Sequence, residues 1–399
     1  MFALFAALSL TLLAFGGYAG GTLAQLGLPV NPILIGAAGT AVAAVVAAIR
    51  RPYLLRGVAA PIVLWATMIA GFVSASQSTT YGDGKVTQLL TLTPLTVFAG
   101  VVLLGIPEVR SRLLWCIVGW GALVAALQFL NPDTAGNPLT ISAEGSSYLN
   151  YGRAVAAAAV VLLVLAVRRR ASALPLLLLG AGFMWLALSS GSRGPVIAAV
   201  VAVAAGLAVS RLPAGVTITG LIGVFLAVQF IDLEQFLPER LQSFDDNSTQ
   251  VRVYMLEIAV QQFRDSPLGA GWGELEPYMA GVGPDLAYPH NVFIEVAAEA
   301  GLLALAGFVG YLLYSLIGQY KASTTGPEAA LFALTVFMIG NASVSGDINS
   351  NRGLHLLLAA GIAAWTIRRL AAQEVTDPAA EAAGSKNLTR GELARGRWT

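Results

Sequence analysis

The sequence runs to 399 residues, of which 56% are hydrophobic and only 11% charged, with a formal net charge of +1. Soluble domains carry about 25% charged residues, so a soluble globular fold is excluded, and dispersed charges without a basic stripe exclude nucleic acid as a partner. One cysteine, Cys116, rules out an intrachain disulfide or a cysteine-based metal site, and two histidines rule out a histidine cluster. No metal and no cofactor is therefore expected.

Crossing hydrocarbon takes about 20 apolar residues, and helices satisfy their own backbone in lipid. Residues 2–19 are apolar but lack a basic start and a cleavage site, so they read as a first span and not a removed signal. Further spans are predicted over 32–49, 58–75, 86–106, 113–130, 153–167, 174–189, 195–209, 216–231, 292–318, 329–344 and 354–367. The fold class is an all-α polytopic membrane protein with about twelve transmembrane helices. Residues 1–231 hold spans 1 to 9, 232–291 form one large external loop, and 292–370 hold spans 10 to 12. The Ala-, Glu-, Lys- and Gly-rich stretch 371–399 is expected to be a disordered cytoplasmic tail.

Cations fix the orientation. Arg50, Arg51, Arg56, Arg110, Arg112, Arg168, Arg169, Arg170, Arg211, Lys321, Arg368 and Arg369 fall on alternate connections, and Lys386, Arg390, Arg395 and Arg397 lie in the tail. That face is cytoplasmic by the positive-inside rule, which puts both termini inside and the long loop outside. Lys85, Arg153, Arg193, Arg240, Arg252, Arg264 and Arg352 lie outside against the rule. They are the cations to explain.

Gly191-Ser192-Arg193-Gly194 joins two spans in a tight outer turn. A guanidinium pinned there suits a phosphate or pyrophosphate of a membrane lipid; it equally suits an arginine snorkelling to headgroups. Arg252 follows Asn247-Ser248-Thr249-Gln250, which reads as the capped start of a helix to about Phe263. An arginine in a first turn opposes the helix dipole, so a nearby anion would stabilise it; the plain alternative is a solvated side chain. Val251, Tyr254, Met255, Ile258 and Gln262 form that helix's predicted packing stripe.

His290 precedes Asn291, a plausible N-cap for the tenth span. The dipole at a helix start disfavours imidazolium and leaves an imine nitrogen free, as a general base for a sugar hydroxyl requires. The alternative is an interfacial or capping histidine. His355 reads as structural. Glu295 and Glu299, four apart, share one side of the tenth span and are expected to pair with Arg153, Arg193 or Arg252. Tyr148, Asn150 and Tyr151 suit stacking on or hydrogen bonding to sugars, although tyrosine is common at membrane interfaces.

The ordered set Ser192-Arg193-Gly194, Arg252, Ser266-Pro267-Leu268-Gly269-Ala270-Gly271-Trp272-Gly273 and Pro289-His290-Asn291 with Glu295, Glu299 and Gly301 resembles the O-antigen ligase and polymerase family of membrane glycosyltransferases. That resemblance covers about 191–310; the amino-terminal half matches in hydropathy alone. It implies a GT-C-like enzyme of the bacterial cytoplasmic membrane, working at its outer face without metal or nucleotide sugar. The donor it implies is a glycan on undecaprenyl pyrophosphate; the acceptor is a glycan or lipid-linked molecule. Arg193, Arg252 and His290 would be catalytic, and Arg153, Tyr148, Asn291, Glu295 and Glu299 would bind or orient substrate. An Ala- and Gly-rich composition points to a high-GC bacterium and favours a polymerase over a ligase. A transporter is the competing class, disfavoured because charge gathers at the rim and not at the bilayer midplane. A lipid-binding scaffold is the third.

Overall fold

The computed structural model describes residues 1–19, 23, 30–75, 79–130, 148–168, 172–209, 247–279 and 287–376. Among these no strand occurs. The helices are α1 (Phe2–Phe15), α2 (Pro32–Arg50), α3 (Ala59–Thr67), α4 (Ile69–Ser74), α5 (Thr80–Leu90), α6 (Leu92–Leu104), α7 (Pro107–Leu130) and α8 (Tyr148–Arg168). They continue as α9 (Ala173–Ser189), α10 (Arg193–Val209), α11 (Asn247–Asp265), α12 (Val292–Ala322), α13 (Gly326–Ala342) and α14 (Arg352–Thr376). Five helical stretches are long and apolar enough to cross a membrane: Pro32–Arg50, Thr80–Leu104, Pro107–Phe129, Leu149–Arg168 and Val292–Ala322. Shorter apolar helices are Phe2–Phe15, Ala173–Ser189, Arg193–Val209 and Gly326–Ala342. The predicted ninth span and the loop residues 232–246 and 280–286 lie outside the described residues, as does the tail from 377.

Small residues set the packing. Lipid gives helices little hydrophobic drive to associate, so close approach of backbones must hold them together. α8 carries Ala154 to Ala159, nearly all fully buried. On α7, a Cβ at Gly121 would lie 2.9 Å from the Ala154 carbonyl oxygen. α12 meets α14 where a Cβ at Gly361 would lie 2.2 Å from the Ser315 carbonyl oxygen. Either contact is open only to glycine.

Three predicted spans are interrupted: 58–75 at Met68, 86–106 at Thr91 and 292–318 at Gly301. α12 leaves helical geometry at Gly301 (φ 86, ψ 178), which frees the carbonyls of Ala298 and Glu299 from their own helix. The chain segment 266–273 enters this break: Ala270 N–H donates to Ala298 O (2.9 Å) and Gly271 N–H to Glu299 O (2.8 Å). In return Leu302 N–H donates to Pro267 O at 3.0 Å. Gly269, Gly271 and Gly273 all have positive φ, and a Cβ on Gly301 would stand 2.4 Å from the Leu268 carbonyl carbon. The other flank of the segment abuts the predicted span over 58–75, which is a 3-10 turn (Pro52–Val58) followed by α3 and α4. There Trp272 N–H donates to Gly71 O (2.9 Å), and the indole covers Gly71. A buried backbone group left unpaired is costly in lipid, so the glycine-rich segment completes the break at Gly301 and takes up Gly71 O near the end of α4.

Other boundaries shift. α5 starts at Thr80, ahead of the predicted 86, because Thr79 Oγ1 accepts from Gly82 N–H at 3.0 Å and caps it. α14 continues to Thr376, past the expected start of the tail. At about 1.5 Å per residue, α12 is about 46 Å long and exceeds the roughly 30 Å of hydrocarbon. Leu302–Ala322 alone is enough to cross, which leaves Val292–Ala300 for the polar end.

Gly301→Ala should therefore lower thermal stability in detergent by about 2 kcal/mol or more, since it adds left-handed strain to a backbone clash. Thermal unfolding measures this; a wild-type midpoint would mean the break is not held as described.

Candidate functional site

One end of the bundle collects the starts of α5, α8, α10, α12 and α14. Asn291 caps α12, its Oδ1 accepting from Phe293 N–H (3.0 Å) and Ile294 N–H (3.2 Å), as the sequence predicts. Its Nδ2 donates to Ser343 O at 2.9 Å and so ties α12 to the connection between α13 and α14. His290, just before the cap, is the one non-glycine residue with positive φ (55) among the described residues. Such a backbone is sparsely populated and persists where the surroundings enforce it. The imidazole sits edge-on to Tyr288 with centroids 4.6 Å apart, and Tyr288 stacks on Tyr81 of α5 at 6.1 Å. Tyr81 Oη in turn donates to Asp347 Oδ2 at 2.7 Å.

Beneath this aromatic column lies a buried ion triad. Lys85 Nζ contacts Glu295 Oε1 at 2.5 Å and also Glu299 Oε2, with all three side chains wholly buried. The two carboxylates were expected to pair with Arg153, Arg193 or Arg252; instead they share the ammonium of α5. Their spacing by one helical turn lets a single compact cation reach both. The other oxygen of Glu295 accepts from Ile348 N–H at 3.0 Å, which fixes the connection carrying Asp347. Asp347 Oδ1 accepts from Ser350 N–H at 2.9 Å. His355 Nε2 lies 3.0 Å from Ile348 O, the structural role the sequence suggests.

Arg153 and Arg252 act on the imidazole of this column, and Arg193 begins a neighbouring helix. Arg153, in the first turns of α8, is 7% exposed, and its Nε and Nη2 have no hydrogen-bond partner. Its Nη2 would lie 3.5 Å from a Cβ at Gly346, beside Asp347. Gly152 packs on Ser190 and Ser192, so the turn before α10 lies against the start of α8. Arg193 is the first residue of α10 and half-buried. Arg252 is in the second turn of α11, not the first, because the helix already begins at Asn247. α11 is anchored on Ala298 of α12 through Met255 and Ala259, with Val251 and Ile258 beside them. Tyr254, expected in that stripe, is exposed. Tyr148 is the first residue of α8; its side chain lies outside what is described.

His290 is depressed from 6.5 to about 4, first by burial, then by the Arg252 and Arg153 guanidiniums, with Asp347 opposing. Burial and neighbouring cations thus keep the ring neutral. The Tyr288 phenol is pushed up to about 12 by burial, with Asp347 adding to it. No group of His, Cys, Asp and Glu suited to a metal occurs among the described residues. The structure therefore brings together His290, Arg153, Arg252, Asn291 and the two glutamates, and places Arg193 at the same end. Sequence reasoning gave no role to Lys85, Tyr81 or Asp347. The available signal was position: Lys85 violates the positive-inside rule and lies four residues after Tyr81 at the mouth of a span.

Residues 176–309 match the family model described as O-antigen ligase. The match runs from α9 past the break at Gly301 and includes Arg193, Arg252, His290, Glu295 and Glu299; Lys85, Arg153 and Asp347 fall outside it. Over that stretch the chain is similar to the O-antigen ligase family. No curated protein and no solved structure matches the chain.

Lys85→Ala strands two buried carboxylates without a counter-charge, and removing one side of a buried ionic group costs about 3–5 kcal/mol. Denaturant unfolding in detergent should show that loss for the single variant. Adding Glu295→Gln and Glu299→Gln should restore part of it. An unchanged single variant would rule out the triad.

Proposed function

We propose that this chain, matched over residues 176–309 by the O-antigen ligase family model, is a metal-independent glycosyltransferase of the bacterial cytoplasmic membrane. It takes an oligosaccharide from a polyprenyl-pyrophosphate carrier at the outer face and joins it to a growing glycan. The acceptor hydroxyl loses its proton to the His290 imidazole as its oxygen bonds to the donor's anomeric carbon. The bond from that carbon to the phosphate oxygen breaks, and its electron pair leaves with the diphosphate. Arg252, Arg193 and Arg153 stabilise the charge that develops there, a preorganised electrostatic role. Asn291 and the Lys85–Glu295–Glu299 triad hold the groups in register.

The observation that carries this reading is a half-buried imidazole kept neutral beside two guanidiniums, one of which has free donors although it is almost wholly buried. A general base needs the first, and an anionic leaving group explains the second. We favour a polymerase; a ligase, passing the glycan to a lipid A-core or another acceptor, uses the same groups. Transport is a second reading, and the broken helix α12 is the feature that favours it, since transporters build sites from discontinuous helices.

Purified protein incubated with a synthetic polyprenyl-diphosphate oligosaccharide should give a ladder of products for a polymerase. A single addition, seen only with a separate acceptor, identifies a ligase; no turnover with either leaves transport. His290→Ala should lower turnover by about 100-fold or more while the protein stays folded in the membrane. Arg252→Lys should also be impaired, because an ammonium lacks the planar fork. Wild-type polymer from a well-expressed His290→Ala protein removes the imidazole from the mechanism.

A further inference from the structure

Two features of the site end conflict if the protein is considered without its substrate. Arg153 is 7% exposed and keeps Nε and Nη2 unpartnered, an arrangement that is costly unless an anion completes it. His290 Nδ1 is also buried and unpartnered. The imidazole meets Tyr288 of its own segment, then Tyr81 of α5 and Asp347 of the connection before α14 through the aromatic column. Arg252 of α11 and Arg153 of α8 act on it as cations, and Asp347 is the acid that acts against them. Lys85, Glu295 and Glu299 satisfy one another below.

We propose that the donor's diphosphate, by docking on Arg153 and Arg252, is what makes His290 able to take a proton, so that acceptor activation waits for the donor. The inference rests on the glycosyltransferase reading above. Without an anion, a proton arriving on the ring meets the opposing charges of the two guanidiniums. With the diphosphate in place those charges are offset, and the same proton sits among balanced neighbours. An acceptor hydroxyl, or a water molecule, is then activated only when a glycan donor is present to be attacked. The proton moves from acceptor oxygen to imidazole while the leaving diphosphate takes the electron pair of the broken bond. The ring is thus protonated in the step in which the diphosphate gains charge.

The chain holds only two histidines, His290 and His355, so the test is direct. Full-length protein with isotope-labelled histidine is titrated by NMR, and His290→Asn assigns the signals. Without ligand, His290 should titrate near 4. Saturating farnesyl diphosphate should move it upward by about one to three pH units, the usual effect of a close opposite charge. Inorganic pyrophosphate forms a second arm: an equal shift assigns the effect to the headgroup charge alone, and a shift with the prenyl form only assigns it to a membrane-delivered ligand. Phosphorus NMR reports binding independently. If the diphosphate binds and His290 titrates as before, the coupling is overturned while the glycosyltransferase reading stands. If neither diphosphate binds, both fall.

Discussion

A single ammonium fixes the geometry of the functional end. Lys85 Nζ neutralises two carboxylates set one helical turn apart on α12, and the three side chains have no access to water. Removing such charges from water is expensive, and their mutual attraction offsets this only in one arrangement. α5 is thus bound to the first turns of α12. The free oxygen of Glu295 then takes Ile348 N–H, which binds the connection before α14 to the same point. Three stretches far apart in sequence meet there, and His290 sits at the top of the helix that they hold.

The break at Gly301 explains why this construction is compatible with a membrane. A continuous α12 would be longer than the bilayer core and would leave no place for the segment 266–273. By opening at one glycine, the helix offers two carbonyls and one N–H to that segment, and the pairing is complete on both sides. Trp272, delivered by the same segment, covers Gly71 and stands 5.7 Å from Lys85 Nζ. The glycine-rich motif therefore serves structure: it seals backbone groups and packs an aromatic face against the buried cation. Chemistry is left to residues that flank it.

Much of the fold was legible because hydropathy in lipid is a strong constraint. Predicted spans over 32–49, 113–130, 174–189 and 195–209 overlie helices Pro32–Arg50, Pro107–Leu130, Ala173–Ser189 and Arg193–Val209. The Asn291 cap was legible too, since it depends on local residue type. The divided span over 58–75 was not, and its second piece pairs through Gly71 O with Trp272, about 200 residues away. The partner of Glu295 and Glu299 failed for the same reason. Their spacing showed that they faced one target, but the choice between an arginine and Lys85 is made by tertiary packing. Among the site residues, His290 was recognisable from its neighbours, whereas Asp347 and Tyr81 become meaningful only through the hydrogen bond between them.

The distribution of charge around His290 gives the last constraint. Folding a membrane protein favours pairing every buried ion, and at Lys85 and at the Arg110–Glu328 contact (3.3 Å) this chain does so. Arg153 departs from that rule close to His290, whose Nδ1 also lacks a partner. Asp347 is near enough to be felt by His290, yet its oxygens are committed to Tyr81 and Ser350. It tempers the local positive potential without closing it. In the proposed reading, an anion bound there would relieve that imbalance, and strain of this kind persists where binding relieves it. In the proposed mechanism, the positive charge that would attract a diphosphate also holds His290 neutral, so donor affinity and restraint of the acceptor chemistry would come from one set of guanidiniums.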